Sequence, residues 1–186
     1  DLQEIMPYIN RAEIPLRYDR QRDVRNDPHI KELITLARFI TALAEEKPRK
    51  ADYLLPEILA FSFWGLSRMT IWEISLEAAK NRTSWLEVMR EHRNEQVKAV
   101  ATFLIELSIA ARTYSAELML DVLVGSTKMP ESEHDFISPF KEHYFGNTAR
   151  KDNPMEYHVF LGGLKAFMSA FREYRGGAPA HLRELV

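Results

Sequence analysis

From Ser84 up to Gly125 the chain carries neither proline nor glycine. A stretch so free of breakers has few alternatives to helix, because strand-rich folds need turn residues at intervals of about 8–12 residues. It opens on Ser84-Trp85-Leu86-Glu87, a capping box in which the serine and glutamate side chains satisfy backbone N–H groups of the first turn. Read straight through, it predicts one helix of about 40 residues, roughly 60 Å long at a rise of 1.5 Å per residue. Val97, Val100, Leu104, Leu107, Ala111, Tyr114 and Leu118 recur at alternating spacings of three and four, the seam expected of coiled-coil-like packing. The polar start, Glu87 to Lys98, is expected to project beyond the core, and the apolar end to be buried.

Other segments carry helix starts of the same kind. Asp27-Pro28 pairs an N-cap acceptor with proline at the first helical position. The helix it begins should reach about Glu46, burying Ile30, Leu33, Ala37, Ile40 and Ala44, and Lys47-Pro48-Arg49-Lys50 should end it. Asp52 is the expected cap of the next helix, with Pro56 in its first turn. Ile58 to Met69 is apolar nearly all round and so reads as central, with a kink or restart at the capping-box pattern Thr70-Ile71-Trp72-Glu73. Asn153-Pro154-Met155-Glu156 starts a last long helix that stops before Gly176-Gly177. Its expected buried face is Tyr157, Phe160, Leu161, Leu164, Phe167, Met168 and Phe171. Residues 1–26, with Pro7, Pro15 and a run of alternating charges from Arg17, read as an N-terminal arm. The predicted fold is all-α: an antiparallel helical bundle of about five to six helices over 27–186, with one long central helix paired to the 53–80 segment as a hairpin.

Charge and composition narrow the function. With 25 basic and 27 acidic residues the chain lacks the cationic excess of a general nucleic-acid binder, so nucleic acid is an unlikely partner. A nucleic-acid accessory role would have to use Arg17, Arg20, Arg22, Arg25, Arg38, Lys47, Arg49 and Lys50, a group diluted by Asp19, Asp23, Glu45 and Glu46. The absence of cysteine excludes disulfides, thiolate zinc sites and a cysteine nucleophile, and with no secretion leader at Asp1 the expected setting is cytoplasmic. Tyr53 to Met69 is the most apolar run, but Pro56, Glu57 and Arg68 interrupt it, and no membrane span is expected.

Candidates for chemistry are sparse. Phosphate loops, dinucleotide fingerprints, metalloprotease helices and serine-hydrolase elbows are all missing. Glu106, Thr113, Glu117 and Asp121 fall along one side of the predicted long helix, and Glu73 and Glu77 sit one turn apart. A carboxylate-bridged di-metal bundle wants Glu-x-x-His on two helices, and the one such spacing here, Glu131 to His134, lies in an irregular region. No metal ligand and no cofactor are therefore assigned. His158 and Lys165 flank Gly162-Gly163, a pair whose helical cost should be offset by close approach of another helix. A bundle enzyme using Glu106, Glu117, Asp121 and His158, or a small-ligand- or metal-binding protein, is the alternative function, with no catalytic residue identified.

The leading expectation is a protein-binding or assembly module that self-associates as a homodimer and lacks catalysis of its own. Leu118 to Val124 is too apolar to leave in water. The aromatic segment 136–145 could fold back over it, or a second copy could cover it; a symmetric dimer, which reuses one patch twice, is the favoured cover. The expected partner-binding residues are Leu120, Leu123, Val124, Phe136, Phe140, Tyr144 and Phe145.

Overall fold

A computed structural model of the protein describes residues 27–132, 135–146, 154–174 and 181–184. Among these the chain is all-helical, with eight α-helices and no strand. They are α1 (Pro28–Ala44), α2 (Pro48–Leu59), α3 (Arg68–Asn81), α4 (Trp85–Glu91), α5 (Glu95–Ala110), α6 (Ala116–Val124), α7 (Phe140–Phe145) and α8 (Pro154–Tyr174). Short 3₁₀ turns lie at Ser62–Trp64 and Leu182–Glu184. None of the described helices is long and apolar enough to cross a membrane. The expected arm, residues 1–26, lies outside the described residues.

α1 starts as its sequence dictates. Asp27 Oδ1 accepts from the N–H groups of His29 (2.9 Å) and Ile30 (3.3 Å), and Pro28 has no N–H to leave unpaired. Its buried residues include Ile30, Leu33, Leu36, Phe39 and Ile40. It packs against α2, α5, α6, α8 and the Leu182–Glu184 turn, so α1, rather than a 53–80/84–124 hairpin, lies at the centre of the core.

The predicted long central helix is divided into α4, α5 and α6, although no proline or glycine interrupts it. Polar side chains make both breaks by offering the backbone local hydrogen bonds in place of the helical ladder. At the first, buried His92 is extended (φ −64°, ψ 145°) and its Nδ1 accepts from the N–H of Asn94 at 3.1 Å. Asn94 Oδ1 then accepts from the N–H of Gln96 at 2.9 Å and starts α5. At the second, Thr113 Oγ1 donates to the Ala110 carbonyl (3.2 Å) and Ser115 Oγ accepts from the N–H of Leu118 (3.4 Å) to start α6. The apolar seam survives in α5, where Val97, Val100, Leu104 and Leu107 are buried, and does not run on as one stripe. The Ser84 capping box forms as predicted.

The second segment also departs from expectation. Lys47-Pro48-Arg49-Lys50 does not merely end α1; Pro48 begins α2, and Pro56 sits within it. Asp52 is therefore inside a helix, and its carboxylate caps a different one, accepting from the N–H of Trp85 at 2.7 Å. The apolar run Ile58 to Met69 is not one central helix: α2 stops at Leu59, a 3₁₀ turn follows, and Gly65 takes φ +66°. Ser67, three residues ahead of the predicted Thr70, caps α3 by accepting from the N–H of Thr70 at 3.0 Å.

In α8, Phe160 is buried and Leu161, Leu164 and Phe167 are partly so, whereas Val159 is exposed. The side chains of Tyr157, Met168 and Phe171, together with Asn153 and the Gly176-Gly177 pair, lie outside the described residues. Among the described residues the close helix approach expected at Gly162 is not there: a Cβ added at this residue meets nothing within 4 Å. Gly162→Ala should accordingly stabilise the protein by about 0.5–1 kcal/mol, through lower unfolded-state entropy with no clash. Scanning calorimetry should register a rise of roughly 2–4 °C per kcal/mol for a chain of this size; a fall would mean that this face is covered.

Candidate functional site

The residues expected to receive a partner are largely inside the molecule. Leu120, Leu123 and Val124 of α6 are buried, as are Phe140 and Phe145 of α7, while Phe136 and Tyr144 are partly buried. Their cover is the chain itself. Gly125, at φ +79°, ends α6 and permits a return so tight that a Cβ there would lie 2.2 Å from the Ser138 carbonyl oxygen. α7 then docks against α6 and against the Ser62–Trp64 turn. Phe140 packs edge-on to Phe63 (5.2 Å between ring centroids), Phe145 stacks on Phe160 (4.5 Å), and Phe136 leans on Phe103 (5.0 Å). The patch assigned to a second copy is thus filled by folding back, the other of the two covers that the sequence allowed.

A polar clasp closes the rim of this aromatic cluster. Tyr144 donates its hydroxyl to the Glu32 carboxylate (2.8 and 2.9 Å) and lies 3.1 Å from Ser62 Oγ. His143 Nε2 lies 3.1 Å from the same Ser62 oxygen, and the His29 ring tilts over Tyr144 with centroids 4.3 Å apart. Burial raises the Glu32 carboxyl above its usual range and pushes Tyr144 up to about 12, because neither charged form is well hydrated there. The network joins α1, the Ser62–Trp64 turn and α7, and its work is attachment.

A stripe of exposed apolar side chains lies elsewhere, on α3. Only Ile74 and Ala78 of this helix are buried. Met69, Trp72 and Leu76 are 61%, 60% and 52% exposed, and their spacing of three and then four residues sets them in one stripe along the outer face. Two large apolar side chains and a tryptophan side by side on one helix are more than the scattered single residues normal at a protein surface. Arg68 adjoins the stripe in sequence before Met69, and Glu73 follows Trp72, gripping Arg93 with both carboxylate oxygens at 3.1 Å. A depression lined by Glu73, Leu76, Glu77, Lys80, Glu91 and Arg93 adjoins it. Sequence reasoning missed this face by reading 58–69 as central; the 3.6-residue alternation of Met69, Trp72 and Leu76 against Ile74 and Ala78 is the signal that marks it.

The remaining candidates do not converge. Glu106 accepts from Ser132 Oγ at 2.8 Å and sits on α5, while Glu117 and Asp121 sit on α6 beyond the break. Among the described residues, no three histidine, aspartate or glutamate side chains come together as a metal cluster. His158 and Lys165 are both exposed on α8. Of the basic group, Lys47 pairs with Glu45 at 2.7 Å, Arg38, Arg49 and Lys50 are exposed, and Arg17, Arg20, Arg22 and Arg25 lie outside the described residues. Comparison with known proteins found no matching family model, no matching curated protein and no matching solved structure.

Proposed function

We propose that this chain is a protein-binding and assembly module that pairs with a second copy of itself through the outer face of α3, its helices serving as an irregular bundle that displays that face. The observation that carries the reading is the stripe of Met69, Trp72 and Leu76, each more than half exposed. Burial of a large apolar side chain contributes about 1.5–3 kcal/mol, so three together reward any surface that covers them. Tryptophan is also among the residues that most often dominate interface energetics.

The spacing favours a second copy. With Ala79, the stripe continues the three-four-three pattern of a coiled-coil seam. Arg68 and Glu73 then occupy the flanking positions that meet across a parallel pair, where the partner copy's Arg68 would share the Glu73 carboxylate with Arg93. Size exclusion with light scattering at tens of micromolar should give twice the 21.7 kDa chain mass. Trp72→Glu should weaken the pair by about 30-fold or more and yield a monomer with unchanged helical circular dichroism. A wild-type monomer, or a variant that stays fully dimeric, would overturn the reading.

A further inference from the structure

Far from α3 in sequence, the C-terminal ends of α1 and α5 and the Leu182–Glu184 turn line a half-open cavity of about 170 Å³. A single water occupies about 30 Å³ of liquid, so the space has the volume of several waters. Two of its lining residues carry buried polar atoms with no hydrogen-bond partner among the described residues: Thr41 Oγ1, on a residue only 8% exposed, and His181 Nδ1. Buried polar atoms are nearly always paired, and two unpaired ones in one small cavity point to something that binds between them.

The charges around the cavity say what kind of group that is. Arg112 and Arg183 both line it. Arg112 reaches Glu46 only loosely, at 3.4 Å. Glu45, also in the wall, is engaged by Lys47 at 2.7 Å, and its carboxyl is held below the usual range by Lys47 first, with Lys50 and Arg183 adding to the effect. The carbonyl ends of α1 and α5 and the Glu45 and Glu46 carboxylates oppose an anion. Lys47 is taken up by Glu45, so the attraction comes from the guanidinium groups of Arg112 and Arg183, both of which line the cavity. Guanidinium forks match the oxygens of phosphate and carboxylate groups, a threonine hydroxyl donates, and an imidazole nitrogen donates once protonated.

We infer that this cavity is a binding site for a small phosphate-class oxyanion, with Arg112 and Arg183 neutralising it and Thr41 and His181 hydrogen-bonding its oxygens. The anion is a free phosphate or the head of a phosphomonoester, and both arms belong in the test. Inorganic phosphate, titrated calorimetrically against chloride of equal ionic strength, should bind with saturation and raise the melting temperature of the full chain. Phosphoserine binding more tightly than phosphate would place the anion on a larger molecule, and the reverse order would favour free phosphate.

Arg183→Gln and Arg112→Gln should each weaken phosphate binding about tenfold or more, the usual loss for a hydrogen bond to a charged group. Thr41→Val separates ligand binding from a merely unpaired hydroxyl. The proposed site predicts weaker phosphate binding in that variant; an idle hydroxyl predicts a higher melting temperature in both salts and unchanged phosphate affinity. Should a variant fold poorly, the imidazole resonances of His181 in the wild-type chain should still move on phosphate addition. No phosphate-specific heat and no shift at His181, or binding that survives in the Arg112→Gln, Arg183→Gln double variant, would overturn the proposal.

Discussion

Phe140→Ala is expected to lower the stability of the protein by about 3–5 kcal/mol, the range for truncating a fully buried phenylalanine. Phe140 has no exposed surface, and its ring lies 5.2 Å from that of Phe63, 5.0 Å from Tyr144 and 5.8 Å from Phe160. It therefore joins the Ser62–Trp64 turn, α7 and α8 at one point. α7 has only six residues and no side-chain N-cap, too short to be stable alone, so its helical form depends on this docking. Loss of the ring should loosen the cover over Leu120 and Val124 as well as leave a cavity. Such a loss would be a large part of the 5–15 kcal/mol that holds a typical domain together. Urea denaturation followed by tryptophan fluorescence measures it, with the midpoint falling and the slope preserved. A loss below about 1 kcal/mol would mean that α7 is not anchored here, since that is what deleting a single buried methyl group costs.

What the sequence made legible was local. Asp27 and Ser84 cap helices two or three residues away, a range over which side-chain chemistry decides the geometry by itself. The all-helical class followed from the same short-range signals summed over the chain. Interruptions carried by polar side chains were harder to see. Asn94 and Ser115 can sit inside a helix without the hard stop of proline or glycine, and only the local hydrogen bonds they form, with His92 buried alongside, turn them into breaks. Asp52 is the clearest case of information held at a distance, for its carboxylate caps a helix that begins at Trp85. The site was half legible. That Leu120, Leu123, Phe140 and Phe145 must be covered was plain from their apolarity, but what covers them depends on the close passage of Ser138 over Gly125. Placing Trp72 outside depended on the reversal at Gly65, where a glycine in a left-handed conformation redirects the chain after the 3₁₀ turn.

Leu123→Glu should unfold the protein, and this result would separate the two apolar surfaces most sharply. Leu123 has no exposed surface and belongs to the same core as Leu36, Leu104 and Phe140. Replacing it removes a buried aliphatic side chain, a loss of about 2–5 kcal/mol, and puts a carboxyl where water cannot reach it. The carboxyl must then stay charged without a partner or bind a proton at neutral pH, and either adds to the cost. The sum lies in the exceptional range of single-substitution effects, close to the whole stability of a typical domain. Trp72→Glu introduces the same side chain at a position already 60% in solvent, so the monomer should keep its fold there. Circular dichroism and light scattering on both variants give a crossed result: lost helix for Leu123→Glu, lost mass with retained helix for Trp72→Glu. A folded, monomeric Leu123→Glu variant of a dimeric wild type would move the interface onto α6. It would also mean that α7 leaves α6 open, because a carboxylate is tolerated at Leu123 only if water reaches it.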